Sequence, residues 1–131
     1  WKHFWKWSVR RRKKTRQDES QRHIWKPDKG YAMTDQITQD KIEAAAFRRL
    51  LKHLADNPDV QNIDLMITAD FCRNCLADWY REAAAENGVE MSKDEARDYT
   101  HGMPYAEWKA SQPDATPEQM AAFKARKDAK A

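Results

Sequence analysis

Residues 63–85 constrain the fold more than any other part of the chain, because their apolar side chains cover two sides of a predicted helix. Ile63, Ile67 and Phe71 recur at four-residue intervals on one side. A helix that is apolar nearly all round must be covered from both directions. We therefore expect a second copy of the chain, related by a two-fold axis, to supply part of the cover, with a compact monomer that wraps the helix as the alternative. The opposite, broader face carries Leu65, Met66, Ala69, Cys72, Leu76, Trp79, Tyr80 and Ala83.

Start and stop signals divide the rest of the sequence into further helices. Asn-Pro and Asn-Gly pairs end two of them, a Ser-x-x-Glu capping box begins another, and prolines begin the last two. Only 3 Gly are present, which disfavours a glycine-cornered sandwich or barrel. We predict an all-α, multihelical single domain. The predicted helices cover residues 38–55, a long segment from 59–62 to 86, residues 92–102, a piece from Pro104 and a last one from Pro117.

The amino-terminal residues 1–32 differ in composition from the rest of the chain. They hold 11 of the 24 Lys and Arg, but 3 of the 21 Asp and Glu, and four of the six Trp. A segment with almost no aliphatic residues cannot build a core of its own. Because the residues from Met33 onward have the composition of an ordinary amino terminus that leads into a helix, we interpret 1–32 as a disordered or non-native extension. Residues 33–112 are then the helical core domain, and 113–131 a carboxyl-terminal helix or fraying tail.

Composition also bears on partners and location. Clustered Lys and Arg with interleaved aromatic residues bind nucleic-acid phosphates or an anionic lipid surface, so nucleic-acid binding is expected only through residues 1–32. No run of about 18 apolar residues predicts a membrane span. Two cysteines and no visible signal peptide favour the reducing cytoplasm.

Cys72 and Cys75 form the sharpest local motif, because Cys-x-x-Cys brings two sulfurs close enough for a disulfide or a shared metal. Thiol redox chemistry favours a first thiol at a helix amino terminus, where the dipole lowers the thiol pKa. Cys72 instead falls about ten residues inside the predicted helix. An interruption of that helix at residues 68–70, with Asp70 as the cap of a new helix, would place Cys72 in the first turn of the new helix. Buried, unreactive thiols are the competing interpretation.

Zinc binding is the other chemistry open to this pair. A zinc site takes four ligands, mostly thiolates and imidazoles, and from residue 33 onward only His53 and His101 join the two cysteines. A complete site would need both histidines, or two sulfurs from each of two chains. We take Cys72, Cys75 and His101 as the candidate metal ligands and identify no catalytic residue.

The segment around His101 has the ingredients of a pocket wall. The competing interpretation is that His101 interacts with the end of its helix while the aromatic residues form core or interface. No Gly-rich phosphate loop, nucleophile elbow or zinc-protease signature is present, and no small-molecule ligand is identified. The candidate pocket residues are Trp79, Tyr80, His101, Tyr105 and Trp108.

Several consecutive motifs resemble the small bacterial proteins grouped as domain of unknown function family 1244. The resemblance covers about residues 35–110 and implies a multihelical fold, an intertwined homodimer and no established activity. The basic segment 1–32 lies outside it. The motifs are DVQNIDLM (59–66), FCRNCL (71–76), WYREAA (79–84) and GMPY (102–105), with EWK (107–109).

The sequence therefore predicts a cytoplasmic, dimeric helical protein that works by binding another molecule and has no recognisable catalytic machinery. The alternative is a thiol-redox or metal-binding protein that uses Cys72 and Cys75.

Overall fold

A computed structural model describes residues 35–131 of the chain. Within that range the backbone forms helices and no strand, which confirms the all-α prediction. None of the described helices is both long and apolar enough to cross a membrane. The six helices of this range are α1 (Gln36–Asp56), α2 (Asn62–Ala69), α3 (Arg73–Glu86), α4 (Lys93–His101), α5 (Tyr105–Ser111) and α6 (Pro117–Ala129).

Some of the predictions concern residues that lie outside the described range. These are the extension 1–32, its nucleic-acid binding and the start at Met33. Residues 45–131 form one compact unit, and the described residues 35–44, which are the beginning of α1, lie outside it. The division into 33–112 and 113–131 stays a prediction.

Local hydrogen bonds explain where α1 begins and ends. Asp35 Oδ1 accepts a hydrogen bond from the Thr38 N–H at 2.7 Å, as a capping residue does. At the other end, Asn57 Nδ2 donates to the His53 carbonyl at 2.8 Å, and the following Pro58 disfavours helical backbone at Asn57. The predicted end at Asn-Pro is therefore confirmed.

The single long helix predicted over residues 59–86 is wrong, because the structure contains two helices, α2 and α3. Asp70 adopts the left-handed conformation with φ of 59°, and its N–H bonds to the Met66 carbonyl at 3.2 Å. Asp is one of the few residues that tolerate this conformation. Arg126 and Lys130, at the carboxyl-terminal end of the chain, form ion pairs with its carboxylate. Hydrophobic periodicity missed the break because apolar positions on both sides of it still face the core.

Other helices of the same chain cover much of the apolar surface that the sequence analysis expected a second copy to cover. Ile63 and Met66 of α2 are 0% and 4% exposed, and α6 packs against α2. Gln119 of α6 donates through Nε2 to Asp64 Oδ1 at 2.9 Å. Among the large apolar side chains of α2 and α3, Trp79 is the one that is strongly exposed, at 53%. A second copy of the chain would therefore have to cover the middle of α3, and the homodimer stays a prediction.

The later helices begin largely as predicted. Ser92 and Glu95 form the expected capping box at α4, and Thr116 forms a second one at α6 with Pro117 in the first turn. Pro104 departs from the prediction, since it precedes α5 as its capping residue instead of occupying the first helical position.

The core lies where α1, α2 and α3 meet, and α4 packs against α3 and α5. Its buried centre is formed by Leu51, Leu54 and Leu76. The half-buried residues that surround this centre are Phe47, Leu50, Leu65 and Phe71.

Candidate functional site

The break between α2 and α3 places both cysteines at the start of a helix. Cys72 is the extended residue immediately before α3, with φ of −144°, and Cys75 is in the first turn. The interruption lies at residues 70–72, slightly later than the position 68–70 considered from sequence. The cysteines therefore occupy the helix start that thiol redox chemistry favours.

The two sulfurs form a close, buried pair of free thiols. Their Sγ atoms lie 3.8 Å apart, with Cys72 0% and Cys75 8% exposed. A hydrogen bond from the Cys72 thiol lowers the pKa of Cys75 to about 7, although burial opposes this shift. The same interaction, followed by burial, raises the pKa of Cys72. The pair therefore loses one proton near neutral pH and keeps the other.

Arg73, directly after Cys72, is a buried cation that caps the carboxyl-terminal end of α1. It is 2% exposed, and its Nη2 donates to the carbonyl oxygens of Leu54 at 3.0 Å and Asn57 at 3.2 Å. Its Nη1 donates to the Val60 carbonyl at 2.7 Å. Burial lowers the pKa of Arg73, but a guanidinium stays charged at neutral pH. Its charge complements the negative end of the α1 dipole.

Asn74, the second residue between the cysteines, is also held from outside α3. It is 0% exposed, and its Nδ2 donates to the Tyr105 hydroxyl of α5 at 3.5 Å. Asn62 of α2 accepts through Oδ1 from the Arg73 backbone N–H at 3.3 Å. Three helices besides α3 thus fix the backbone of the Cys-x-x-Cys segment.

His101 is a buried, neutral imidazole beside this segment. Its Nδ1 bonds to the Arg97 carbonyl at 2.7 Å and must therefore carry the hydrogen. Burial lowers the pKa of His101 to about 4. Its ring centre lies 4.5 Å from that of Trp108 and 5.1 Å from that of Tyr105. The buried Nε2 has no hydrogen-bond partner and keeps its lone pair.

The structure brings some of the predicted pocket residues together and separates the others. His101, Tyr105 and Trp108 contact one another, and the Arg73 guanidinium lies 5.5 Å from the Trp108 ring centre. Trp79 and Tyr80 instead stack on other aromatic rings, outside this group. A separate open depression of about 440 Å³ is lined by none of the five; its walls are Arg81, Ala85, Val89, Glu90, Met91 and Ser92.

The candidate metal ligands do not converge within the described chain. In residues 35–131, no group of three or more His, Cys, Asp or Glu side chains is placed to bind a metal ion. Cys72 and Cys75 are neighbours, whereas His101 does not complete a group with them. A site with two sulfurs from each of two chains stays a prediction.

Sequence reasoning did not single out Arg73, Asn74 or Asn62 as parts of the site, and it considered Asp70 only as the cap of a new helix, whereas Asp70 ends α2 and Cys72 precedes α3. One signal was available, because Asp70, Arg73 and Asn74 interrupt a segment that is otherwise apolar on two sides. Polar residues at such positions need internal partners, and their presence indicates either a break in the helix or a buried network.

The chain matches the family described as "Protein of unknown function (DUF1244)" over residues 60–125, half of its length. The matched range contains the cysteine pair and all of α2 through α5. No curated protein matches the chain. The match confirms the family resemblance noted in the sequence motifs: the chain belongs to the DUF1244 family.

Proposed function

We propose that the chain works as a homodimeric binding protein of the cytoplasm. The observation that supports the proposal is a group of five aromatic rings, four of them on α1, α3 and α4 and the fifth on Phe71, the residue that precedes Cys72. We call this group the aromatic surface. Within it Trp79 is 53% and Tyr99 42% exposed, although aromatic rings of this size are normally buried or at interfaces. Its members are Phe47, Phe71, Trp79, Tyr80 and Tyr99.

The aromatic surface is continuous with the core and held by stacking. Phe47 and Phe71 pack against the buried leucines. Trp79 stacks on Phe71 with ring centres 6.2 Å apart, and Tyr99 stacks on Tyr80 at 4.4 Å. Rings that are already fixed lose little conformational freedom when a partner covers them.

A second copy of the chain is the occupant that fits this surface. The full chain has a net charge of +3, with 11 Lys and Arg against 3 Asp and Glu in residues 1–32 and 13 against 18 in residues 33–131, so two copies carry like net charge and repel each other. The aromatic surface contains no formal charge. Two copies related by a two-fold axis can therefore meet there without opposing like charges.

Light scattering on the purified chain across about 1 to 100 μM tests this proposal. We expect dimers, and we expect Trp79→Glu to give monomers because it places a charge in the interface. Val89→Glu is the matched control: Val89 is 50% exposed but lines the separate depression, so the dimer should persist. Monomeric wild-type protein throughout this range would refute the proposal.

A redox-active dithiol is the second candidate function, favoured by the position of Cys72 and Cys75 at the start of α3 with sulfurs 3.8 Å apart. Alkylation of the folded chain with a small reagent, followed from pH 5 to 9, tests it. One thiol should react with a midpoint near pH 7. Metal analysis of anaerobically purified protein checks the zinc alternative, which needs the sulfurs of two chains.

A further inference from the structure

We propose that Cys72 and Cys75 react with hydrogen peroxide as a two-cysteine site, in which Cys75 is oxidised first and Cys72 closes the disulfide. The inference rests on the second candidate function, that the pair is a redox-active dithiol. It adds the class of oxidant and a separate role for each sulfur.

The difference in exposure assigns the roles. Cys72 is completely buried, whereas Cys75 retains 8% of its surface. So small an exposed area favours an oxidant as small as hydrogen peroxide over a bulky one. Disulfide exchange with a peptide or protein requires the attacking thiolate to approach along the axis of a bulky disulfide, which a nearly buried sulfur does not allow. Cys75 is therefore the sulfur that meets the oxidant, and the oxidant is small.

The distance between the sulfurs supports the second step. A disulfide bond is about 2.05 Å long, so closing it from 3.8 Å requires the sulfurs to approach by under about 2 Å. Arg73 and Asn74 hold the intervening backbone to α1 and α5, which keeps Cys72 beside Cys75. The buried thiol is then the nearest nucleophile to an oxidised Cys75.

The reaction balances as two steps. The Cys75 thiolate sulfur attacks one peroxide oxygen, the O–O bond breaks, and the departing hydroxide takes a proton to form water. Cys75 is then a sulfenic acid, oxidised by two electrons. The Cys72 thiol loses its proton as its sulfur attacks the Cys75 sulfur, the S–O bond breaks, and the second hydroxide leaves as water. Two thiols and one peroxide give one disulfide and two waters.

The ionisation of the pair agrees with this order. Because the hydrogen bond from Cys72 lowers the pKa of Cys75 to about 7, a substantial fraction of Cys75 is thiolate at neutral pH. The thiolate is the reactive form toward peroxide. Cys72, whose pKa is raised, stays protonated until the second step.

Mass spectrometry of the intact full chain after anaerobic addition of hydrogen peroxide at pH 6 tests the inference. The chain has two cysteines, so a product lighter by two hydrogens is assigned to one bond. The folded chain should lose its thiols about tenfold faster than the same chain in urea, because the unfolded thiols are less ionised at this pH. With oxidised glutathione in place of peroxide, the chain in urea should lose its thiols faster than the folded chain, because the fold shields the buried sulfurs from a bulky disulfide.

Two variants separate the roles. In Cys72→Ser, peroxide should leave Cys75 as a sulfenic acid, which the intact mass reports as one added oxygen and which a dimedone probe captures once urea unfolds the chain. In Cys75→Ser, the buried Cys72 should resist peroxide in the folded chain and react only in urea. Oxidation of Cys72 by peroxide in the folded Cys75→Ser chain, at a rate equal to that of Cys75 in Cys72→Ser, would overturn the assignment.

Diamide, a small oxidant of dithiols, distinguishes a failure of the dithiol function from a failure of the peroxide inference. If diamide closes the disulfide and peroxide does not, the dithiol function stands and the peroxide inference fails. If neither reagent forms the disulfide, both fail. A disulfide between two chains as the first peroxide product also overturns the inference, because Cys72 of the same chain would not be the resolving thiol.

Discussion

The Arg73 guanidinium donates to the Leu54 carbonyl across 3.0 Å, joining the first turn of α3 to the carboxyl-terminal end of α1. Cys75 lies two residues after this buried cation, in the same first turn of α3. The residue that closes the core between α1 and α3 is thus also the residue that holds the cysteine segment in place.

Replacing Arg73 by Lys should destabilise the chain by about 3 kcal/mol, because one ammonium cannot reach the carbonyls that the planar guanidinium bridges. Urea unfolding measures the loss. Arg81→Lys is the matched control: Arg81 also donates to a main-chain carbonyl, that of Met91, but it is exposed, so its replacement should change the free energy of unfolding by under about 0.5 kcal/mol. An equal decrease in the free energy of unfolding in the two variants would show that burial of the Arg73 cation is not the cause of the destabilisation.

Acid should destabilise the chain through His101. Its pKa of about 4 in the folded chain lies below its ordinary value of 6.5, so the unfolded chain binds this proton first as pH falls. The resulting loss in the free energy of unfolding is absent above about pH 6.5, grows as the pH falls from 6.5 to 4, and reaches about 3 kcal/mol near pH 4. Unfolding in urea at pH 7, 5.5 and 4 measures this slope.

His101→Asn should remove that part of the pH dependence, because Asn Nδ2 can still donate to the Arg97 carbonyl and does not titrate. The matched control is His53→Asn, the same substitution at an exposed position of the chain. An unchanged slope in His101→Asn would contradict the assignment of acid sensitivity to this side chain.

Asp70 should contribute to stability in two separable ways. Asp70→Asn keeps a residue that tolerates positive φ but removes the charge that Arg126 and Lys130 contact, at a cost under about 1 kcal/mol because these groups are partly exposed. Asp70→Ala should cost about 1 kcal/mol more, since Ala resists the left-handed conformation. The exposed Asp56, paired with Lys52, is the control, and Asp56→Asn should change the urea midpoint little. Equal midpoints for the two Asp70 variants would exclude the backbone contribution.

Nucleic-acid binding through residues 1–32 can be tested by removing them. The full chain should bind a single-stranded oligonucleotide with an affinity that falls steeply as salt rises, since these residues carry 11 Lys and Arg. A chain that begins at Met33 should lose this binding. If the affinity and its salt dependence survive the truncation, the phosphate contacts lie elsewhere.

The helical class and most helix ends could be predicted from sequence, because the groups that decide them are close together along the chain. Ser92 caps α4 through Glu95, three residues away, and Thr116 acts on Gln119 in the same way. The pair Asn57 and Pro58 ends α1 through similarly local bonds. Each of these signals works over a single turn, so a short window of sequence contains the whole cause.

The break at Asp70 and the site it creates were decided by the tertiary structure. The carboxylate of Asp70 is contacted by Arg126, 56 residues further along the chain, and Arg73 is buried only because the carbonyls of Leu54, Asn57 and Val60 converge on it. Periodicity assigned one continuous helix because both halves of the segment face the core. The sequence alone determined that the chain is helical and where most of its helices begin and end, since capping is local. Only the packed chain determined that two cysteines begin a helix, since burying a cation and bending the backbone depend on partners distant in sequence.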